Sequence, residues 1–278
     1  MSYTGVLLVD KPRGPSSHQV AAWVGEMLHS PVGHSGTLDP MVSGVLVVML
    51  GRAVKLAPLL LEHEKEYVAV MRLHADVPRE RVEEVVKGFT GRVYQRPPRR
   101  SAVKRALRIR VIWKIEVLDM QGRLVLLRIR CEAGTYIRSV CTHIGNVLGC
   151  GAQMIELRRT MSGGFTAEDA HTLQEIRDAV ESGNKALLDS FILPPERAIA
   201  GIPQIVVRDA AADSILTGAE LAYPGIVSCS SFKAEDKAVL VRESGKLVAL
   251  VQVLFDSAKI TQGMHGIAAK SVRVFVSE

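Results

Sequence analysis

The chain has 278 residues, 47% of them hydrophobic, four cysteines and a formal net charge of +6. Length and apolar content exclude wholesale disorder and suit one large domain, or a large one followed by a small one. No apolar run approaches the roughly 20 residues of a bilayer-spanning helix. No Cys-x-x-Cys pair supports a zinc or thioredoxin-like site, and neither a Walker-type phosphate loop nor a dinucleotide fingerprint is present.

Residues 5–9 read as a short buried strand, stopped by Lys11-Pro12-Arg13-Gly14-Pro15. Ser16 or Ser17 can cap the following helix, on which Val20, Val24, Met27 and Leu28 recur at helical spacing. The run Gly33-His34-Ser35-Gly36-Thr37-Leu38-Asp39-Pro40 comes next. Its glycines and proline predict a rigid turn that presents Asp39 in one orientation. A carboxylate held this way can serve as nucleophile, acid/base or metal ligand. An ordinary Asx-Pro turn is the competing reading.

Residues 44–50 are a continuous apolar run of strand length, and Tyr67, Ala69, Met71 and Leu73 alternate as on a half-buried strand. Val82, Val85, Val86 and Phe89 fit a helix ending near Gly91. Two longer strand-like segments, 109–120 and 124–131, flank Gln121-Gly122 and predict a hairpin. Ile137, Val140, Cys141, Ile144, Val147 and Leu148 mark an amphipathic helix stopped at Gly149. Thr172 and Glu175 have capping-box spacing for another.

Residues 193–203 read as a linker. A short helix over 209–216, a stop at Gly218 and several short apolar runs then suggest a small β-barrel-like domain. Strands and helices alternate without a steady βαβ rhythm, which predicts an α+β fold with a mixed, largely antiparallel sheet.

Charge is distributed unevenly. Arg92, Arg96, Arg99, Arg100, Lys104, Arg105, Arg108 and Arg110 fall in one stretch with no acidic residue, interrupted by Pro97-Pro98. That pattern fits an RNA-contacting loop better than a solvated helix face. From residue 203 onward eight basic residues are cancelled by eight acidic ones.

The run holding Asp39 resembles the catalytic motif of the TruB/dyskerin family of RNA pseudouridine synthases. Gly5-Val6-Leu7-Leu8-Val9-Asp10-Lys11-Pro12, Glu64-Lys65-Glu66-Tyr67, Gly134-Thr135-Tyr136-Ile137-Arg138-Ser139 and Glu156-Leu157-Arg158-Arg159 carry the same resemblance in the family's order, over nearly the whole chain. It implies a catalytic domain over 1–198 with its site in a central cleft, and a PUA RNA-binding domain over 199–278. Gly218-Ala219-Glu220-Leu221, Pro224-Gly225-Ile226 and Gly266-Ile267-Ala268 carry the PUA resemblance.

The resemblance implies roles that spacing alone does not. Asp39 is the nucleophile that isomerises uridine to pseudouridine without cofactor or metal. Arg138 pairs with it, orienting the carboxylate and favouring its charged form. Tyr67 lies against the target base with its hydroxyl available for proton transfer; stacking of this kind is worth about 1–3 kcal/mol per base. His34 fills the space vacated by a flipped nucleotide, and extracting that nucleotide costs a few kcal/mol. Leu157 helps to form the base pocket, and Lys11 is structural or near a phosphate. Arg99, Arg100, Lys104 and Arg105 contact RNA, as do Gly218, Ala219, Pro224 and Gly225. Read without the family, Arg138 is a surface arginine, Tyr67 a cross-strand tyrosine, His34 a structural hydrogen-bonder and Leu157 an ordinary strand leucine.

Two branches of the family compete. One takes its target from a box H/ACA guide RNA and works with small accessory proteins; the other modifies the tRNA T-loop unaided. Segments 96–105, 131–138, 143–145, 149–152 and 224–227 resemble the archaeal, guide-dependent branch, with rRNA or tRNA as substrate. Two features depart from it: the N-terminal extension of archaeal relatives is missing or very short, and Met41-Val42-Ser43 stands where a basic or threonine-containing variant is common. A non-catalytic RNA-binding scaffold and a hydrolase with paired carboxylates are the remaining alternatives. The first needs none of Asp39, Tyr67 and Arg138, and the second needs a further acidic residue that does not stand out. Absence of a signal-peptide pattern and unpaired cysteines predict a reducing cytoplasm.

Overall fold

A computed structural model describes residues 3–61, 63–96, 106–199, 201–261 and 263–275. It divides into two units, Met1–Leu193 and Pro194–Glu278.

In the first unit, β1 (Gly5–Lys11) ends where Pro12 removes a donor, and Ser16 caps α1 (Ser17–Leu28) by accepting from the Gln19 amide. The chain returns through β2 (Val32–Ser35) and β3 (Ser43–Leu50), passes α2 (Ala57–Leu61), and enters β4 (Lys65–Leu73) and α3 (Arg79–Lys87). Strands β5 (Gly91–Gln95), β6 (Arg108–Gln121) and β7 (Leu124–Cys131) follow. Gly122, at φ 56, closes the β6–β7 turn. Then come α4 (Ile137–Val147), β8 (Ala152–Ser162), β9 (Phe165–Thr166), α5 (Leu173–Glu181), α6 (Lys185–Phe191) and β10 (Ile192–Leu193). Thr172 and Glu175 form a reciprocal capping box on α5.

The strands form one sheet in the order β10-β1-β3-β8-β4-β7-β6-β5, with β2 on β3 and β9 on β8. The pairings are antiparallel except β3–β8, which run parallel through Ser43↔Arg158 and Gly44↔Arg159. One core lies under α3 and α4, with Met71, Val86, Ile112, Leu127, Ile144 and Leu157 among its residues. Another lies where α1, α5 and α6 cover β1 and β3. Cys131 and Cys141 are buried in the first core, where desolvation pushes each thiol up to about 12, so both are inert at neutral pH.

The second unit holds β11 (Gln204–Val207), α7 (Asp209–Leu216), β12 (Leu221–Ala222), β13 (Ile226–Cys229), β14 (Lys237–Arg242), β15 (Leu247–Val253) and β16 (Ile267–Val274). They form a sheet in the order β12-β16-β15-β14-β11-β13 around a core that includes Leu240, Val251 and Phe255.

The fold is thus α+β, with a mixed, largely antiparallel sheet in the first unit and a smaller sheet in the second, as expected, and differs locally in two places. The run 33–40 is not wholly a turn: Gly33, His34 and Ser35 pair with Met49, Val48 and Val47 of β3, and only the segment from Gly36 turns. The stretch read as a linker begins with Leu193 paired to Val6 and continues as a 3₁₀ turn, Pro195–Ile199, with Ala198 and Ile199 buried. Both differences come from pairing with distant strands that a local pattern does not record.

Candidate active site

The peptide around Asp39 is held from both sides. The buried Ser17 hydroxyl donates to the Leu38 carbonyl at 2.9 Å and accepts from the Leu38 amide at 2.7 Å. Leu38 itself packs into the same core as Leu157. On the other side, the buried Lys11 ammonium donates to the carbonyls of Val42 (2.7 Å), Pro12 (2.8 Å) and Pro40 (3.4 Å). The Gly14 amide also reaches Pro40, and the Val42 amide donates back to the Asp39 carbonyl. Three carbonyls use the three donors of Lys11, which makes it a brace of the turn rather than a group reaching for phosphate.

With its backbone clamped, Asp39 keeps its carboxylate 64% exposed, and Arg138 Nη2 donates to Asp39 Oδ2 at 3.0 Å. Arg138 is the second residue of α4. The preceding peptide is clamped by buried Gln95 at the end of β5, which accepts from the Tyr136 amide at 2.9 Å and donates to its carbonyl at 3.2 Å. An ion pair this open adds about 0–1 kcal/mol to folding. Stability does not explain why so much scaffolding orients it.

Tyr67 stands on β4, half-buried against the core, between Ile129 of β7 and Arg159 of β8. Burial pushes its phenol upward in pKa, so it holds its proton at neutral pH; the Arg159 charge opposes this, and the Asp39 charge acts in the same direction as burial. Leu157 lies two residues before Arg159 on β8, buried opposite Ala69. His34, on β2, meets the His18 ring edge-on at 6.5 Å, and its Nδ1 is buried with no partner. Burial first, then the charge of His18, lowers its pKa.

Asp39, Arg138, Tyr67, Leu157, His34 and Lys11 therefore all belong to the turn 36–42 or to elements bordering it. In the second unit, Gly218 follows α7 at φ 108, and the Ala219 amide caps the helix by donating to Ser214 O. Gly225 accepts from the Arg208 amide. Pro224 lines a groove of about 510 Å³ with Arg208, Tyr223, Ile226 and His265. Arg99, Arg100, Lys104 and Arg105 lie outside the described residues.

Sequence reasoning passed over four side chains. Ser17, a possible helix cap, instead turns inward to Leu38. Gln95 carried no signal. Lys65 and Arg159 were visible only as members of motifs. Both are buried cations, Lys65 donating to the carbonyls of Leu60, Leu61 and His63. Neighbouring Arg158 makes a two-pronged pair with Asp10 at 2.9 and 3.0 Å, tying β8 to β1.

Family models match along most of the chain. The TruB family pseudouridylate synthase N-terminal domain covers residues 27–80 and 75–137, the tRNA pseudouridylate synthase B C-terminal domain covers 138–200, and the PUA domain covers 203–275. Proteins named "Probable tRNA pseudouridine synthase B" from Methanosarcina barkeri and Archaeoglobus fulgidus are each 46% identical over 98% of this chain, and over 82% and 86% of their own lengths. Among solved structures, a Cbf5-Nop10-Gar1 complex contains a chain with TM-score 0.93 and 44% identity, covering 98% of this chain and 85% of that one. An H/ACA RNP bound to a substrate RNA containing 2'-deoxyuridine contains another, with TM-score 0.91 and 41% identity over 99% and 86%.

Fold and relatives together define an RNA-modifying isomerase with an appended PUA domain. The chain belongs to the TruB family of pseudouridine synthases.

Proposed function

We propose that Asp39 is the nucleophile of uridine isomerisation in RNA, that Arg138 aims its carboxylate, and that Tyr67 lies against the target base and moves protons. The observation that carries this reading is the exposed Asp39–Arg138 pair, held at 3.0 Å by a turn braced on both sides. The reaction breaks N1–C1′, turns the base and forms C5–C1′; C5 loses a proton and N1 gains one. One aimed carboxylate supplies the nucleophile, and apolar Leu157 and Leu38 supply a dry floor for the base. His34, with an unpartnered ring nitrogen, is suited to fill the stack left by a flipped nucleotide.

The chain acts as the catalytic subunit of a box H/ACA particle on rRNA or tRNA, with a guide RNA and small accessory proteins. The likeness to the Cbf5-Nop10-Gar1 and H/ACA RNP chains over nearly the whole length supports this. The tRNA pseudouridine synthase B names of its relatives support stand-alone action on tRNA as the second reading. The domains are a catalytic one over 1–198 and a PUA one over 199–278 that grips the guide through Gly218, Ala219, Pro224 and Gly225. With eight basic and eight acidic residues from 203 onward, this grip relies on shape and local contacts rather than bulk attraction. Among the described residues no helix is long and apolar enough to cross a membrane, and we place the chain in the cytoplasm.

Pseudouridine mapping with purified chain tests both parts. One reaction holds unmodified tRNA alone; the other holds a target RNA with an H/ACA guide and the accessory proteins. Product in the second alone establishes guide dependence, and product on tRNA alone establishes stand-alone action. Asp39→Asn is expected to abolish product in whichever reaction works while RNA binding persists. Turnover near wild type would remove Asp39 from the nucleophile's role.

A further inference from the structure

Arg159 is one of the largest side chains fully buried in the molecule, at 1% exposure. Its Nε donates to the Val45 carbonyl at 2.8 Å. Its Nη1 lies under the Asp39 turn, 3.0 Å from where a Cβ on Gly36 would stand. Its Nη2 is buried without a partner. No carboxylate among the described residues pairs with it; the Tyr67 phenol, its cross-strand partner, favours its charge. The charge is felt by its neighbours: Lys11 on β1, His34 on β2 and Lys65 on β4 each have a pKa lowered partly by it. A buried, unpaired cation is costly to folding, and a methionine would fill similar space without that cost.

A shift of register pairs Tyr67 with Arg159 across the sheet. On β8, Ser162 and Met161 oppose Lys65 and Glu66, but Tyr67 is opposed by Arg159, so Thr160 is the extra residue of a bulge. Bulges of this kind re-aim side chains beside active sites. The bulge places phenol and guanidinium as direct cross-strand partners on one face.

We propose that Arg159 is a positioning residue for the reaction: it donates to the Tyr67 hydroxyl, fixes the phenol's direction, and stabilises the negative charge that forms on that oxygen when its proton moves. This rests on the reading of Tyr67 as a proton-handling group. The reaction takes one proton from C5 and puts one on N1. A phenol that gives its proton to one site and regains one from the other ends unchanged, and its oxygen is anionic in between. The charged and titratable groups facing it are Arg159 on β8, Cys131 on β7 and Asp39 in the turn. Arg159 is the cation among them.

The test is a double-mutant cycle read by single-turnover pseudouridine formation in the substrate system that supports turnover, using the full chain and any guide and accessory proteins that system requires. Tyr67→Phe is expected to slow the reaction about 100-fold, the scale of one acid/base group. Arg159→Met is expected to slow it about 10- to 100-fold while melting no lower than wild type. The double variant is expected to be no slower than Tyr67→Phe alone, because Arg159 acts through the phenol. Arg159→Lys is expected to keep part of the rate and to move the alkaline limb of the pH profile upward; if Arg159→Met does not fold, the cycle is read with this variant. Multiplicative losses in the double variant, with a lowered melting temperature, would assign Arg159 to structure and overturn the proposal. A Tyr67→Phe enzyme at wild-type rate would instead overturn the role of Tyr67, and the proposal with it.

Discussion

Lys65 shows how the site burdens the fold at the scale of one residue. Burial first, then the Arg159 charge, lowers its pKa from 10.5 to about 8. Between those values the unfolded chain holds the proton and the folded chain has lost it. Stability from this group therefore rises with pH across that window, while the full penalty of the buried charge applies below it. The difference corresponds to about 3 kcal/mol. Urea titrations should show wild type gaining on Lys65→Met by about 2–3 kcal/mol from pH 8 to 10.5. Parallel curves would show that Lys65 stays charged when folded. The same scale explains what sequence reading could not see. Nothing near Ser17 or Gln95 distinguishes a surface polar residue from one that clamps Leu38 or Tyr136. That distinction depends on which backbone passes within hydrogen-bonding reach after folding.

At the scale of elements, the parallel pairing of β3 with β8 is the join on which the site depends. Gly44 sits there at φ 106, and a Cβ on it would stand 2.1 Å from the Arg159 carbonyl oxygen. Gly44→Ala is expected to cost more than about 3 kcal/mol or to prevent folding, since both strain and overlap oppose it. Gly164→Ala, which meets nothing within 4 Å, serves as the control and should change the melting temperature little. An unperturbed melt for Gly44→Ala would mean that β3 and β8 can separate without loss. The β6–β7 hairpin, the amphipathic α4 and the capping box of α5 were legible because each is written in neighbouring residues. Strands β2 and β10, four and two residues long, were not. They exist because β3 and β1 offer them open edges, and edge pairing leaves no periodicity in so short a run.

For the whole molecule, basic charge is spread unevenly along the chain. The eight basic residues between Arg92 and Arg110 include four outside the described residues, and the region from 203 onward is neutral. Neutralising Arg99, Arg100, Lys104 and Arg105 together is expected to weaken RNA binding. It should also make the salt dependence of binding shallower, by about 0.7–0.9 in slope for each phosphate no longer neutralised. Binding measured across a salt series checks this, and an unchanged slope would mean that these side chains are only solvated.

The sequence by itself determined the kind of chemistry. The turn glycines and proline, the carboxylate between them, the arginine at the start of a helix and the tyrosine at the start of a strand are local patterns. So are the family motifs they compose. Only the tertiary structure decided which side chains meet. Arg138 reaches Asp39 from 99 positions away, and Lys11 braces the Val42 carbonyl from 31. Arg159 reaches Tyr67 because a bulge shifts β8 by one residue. Those meetings follow from strand order and register, which depend on all the strands packing at once, and a one-residue change of register would send each side chain to the other face.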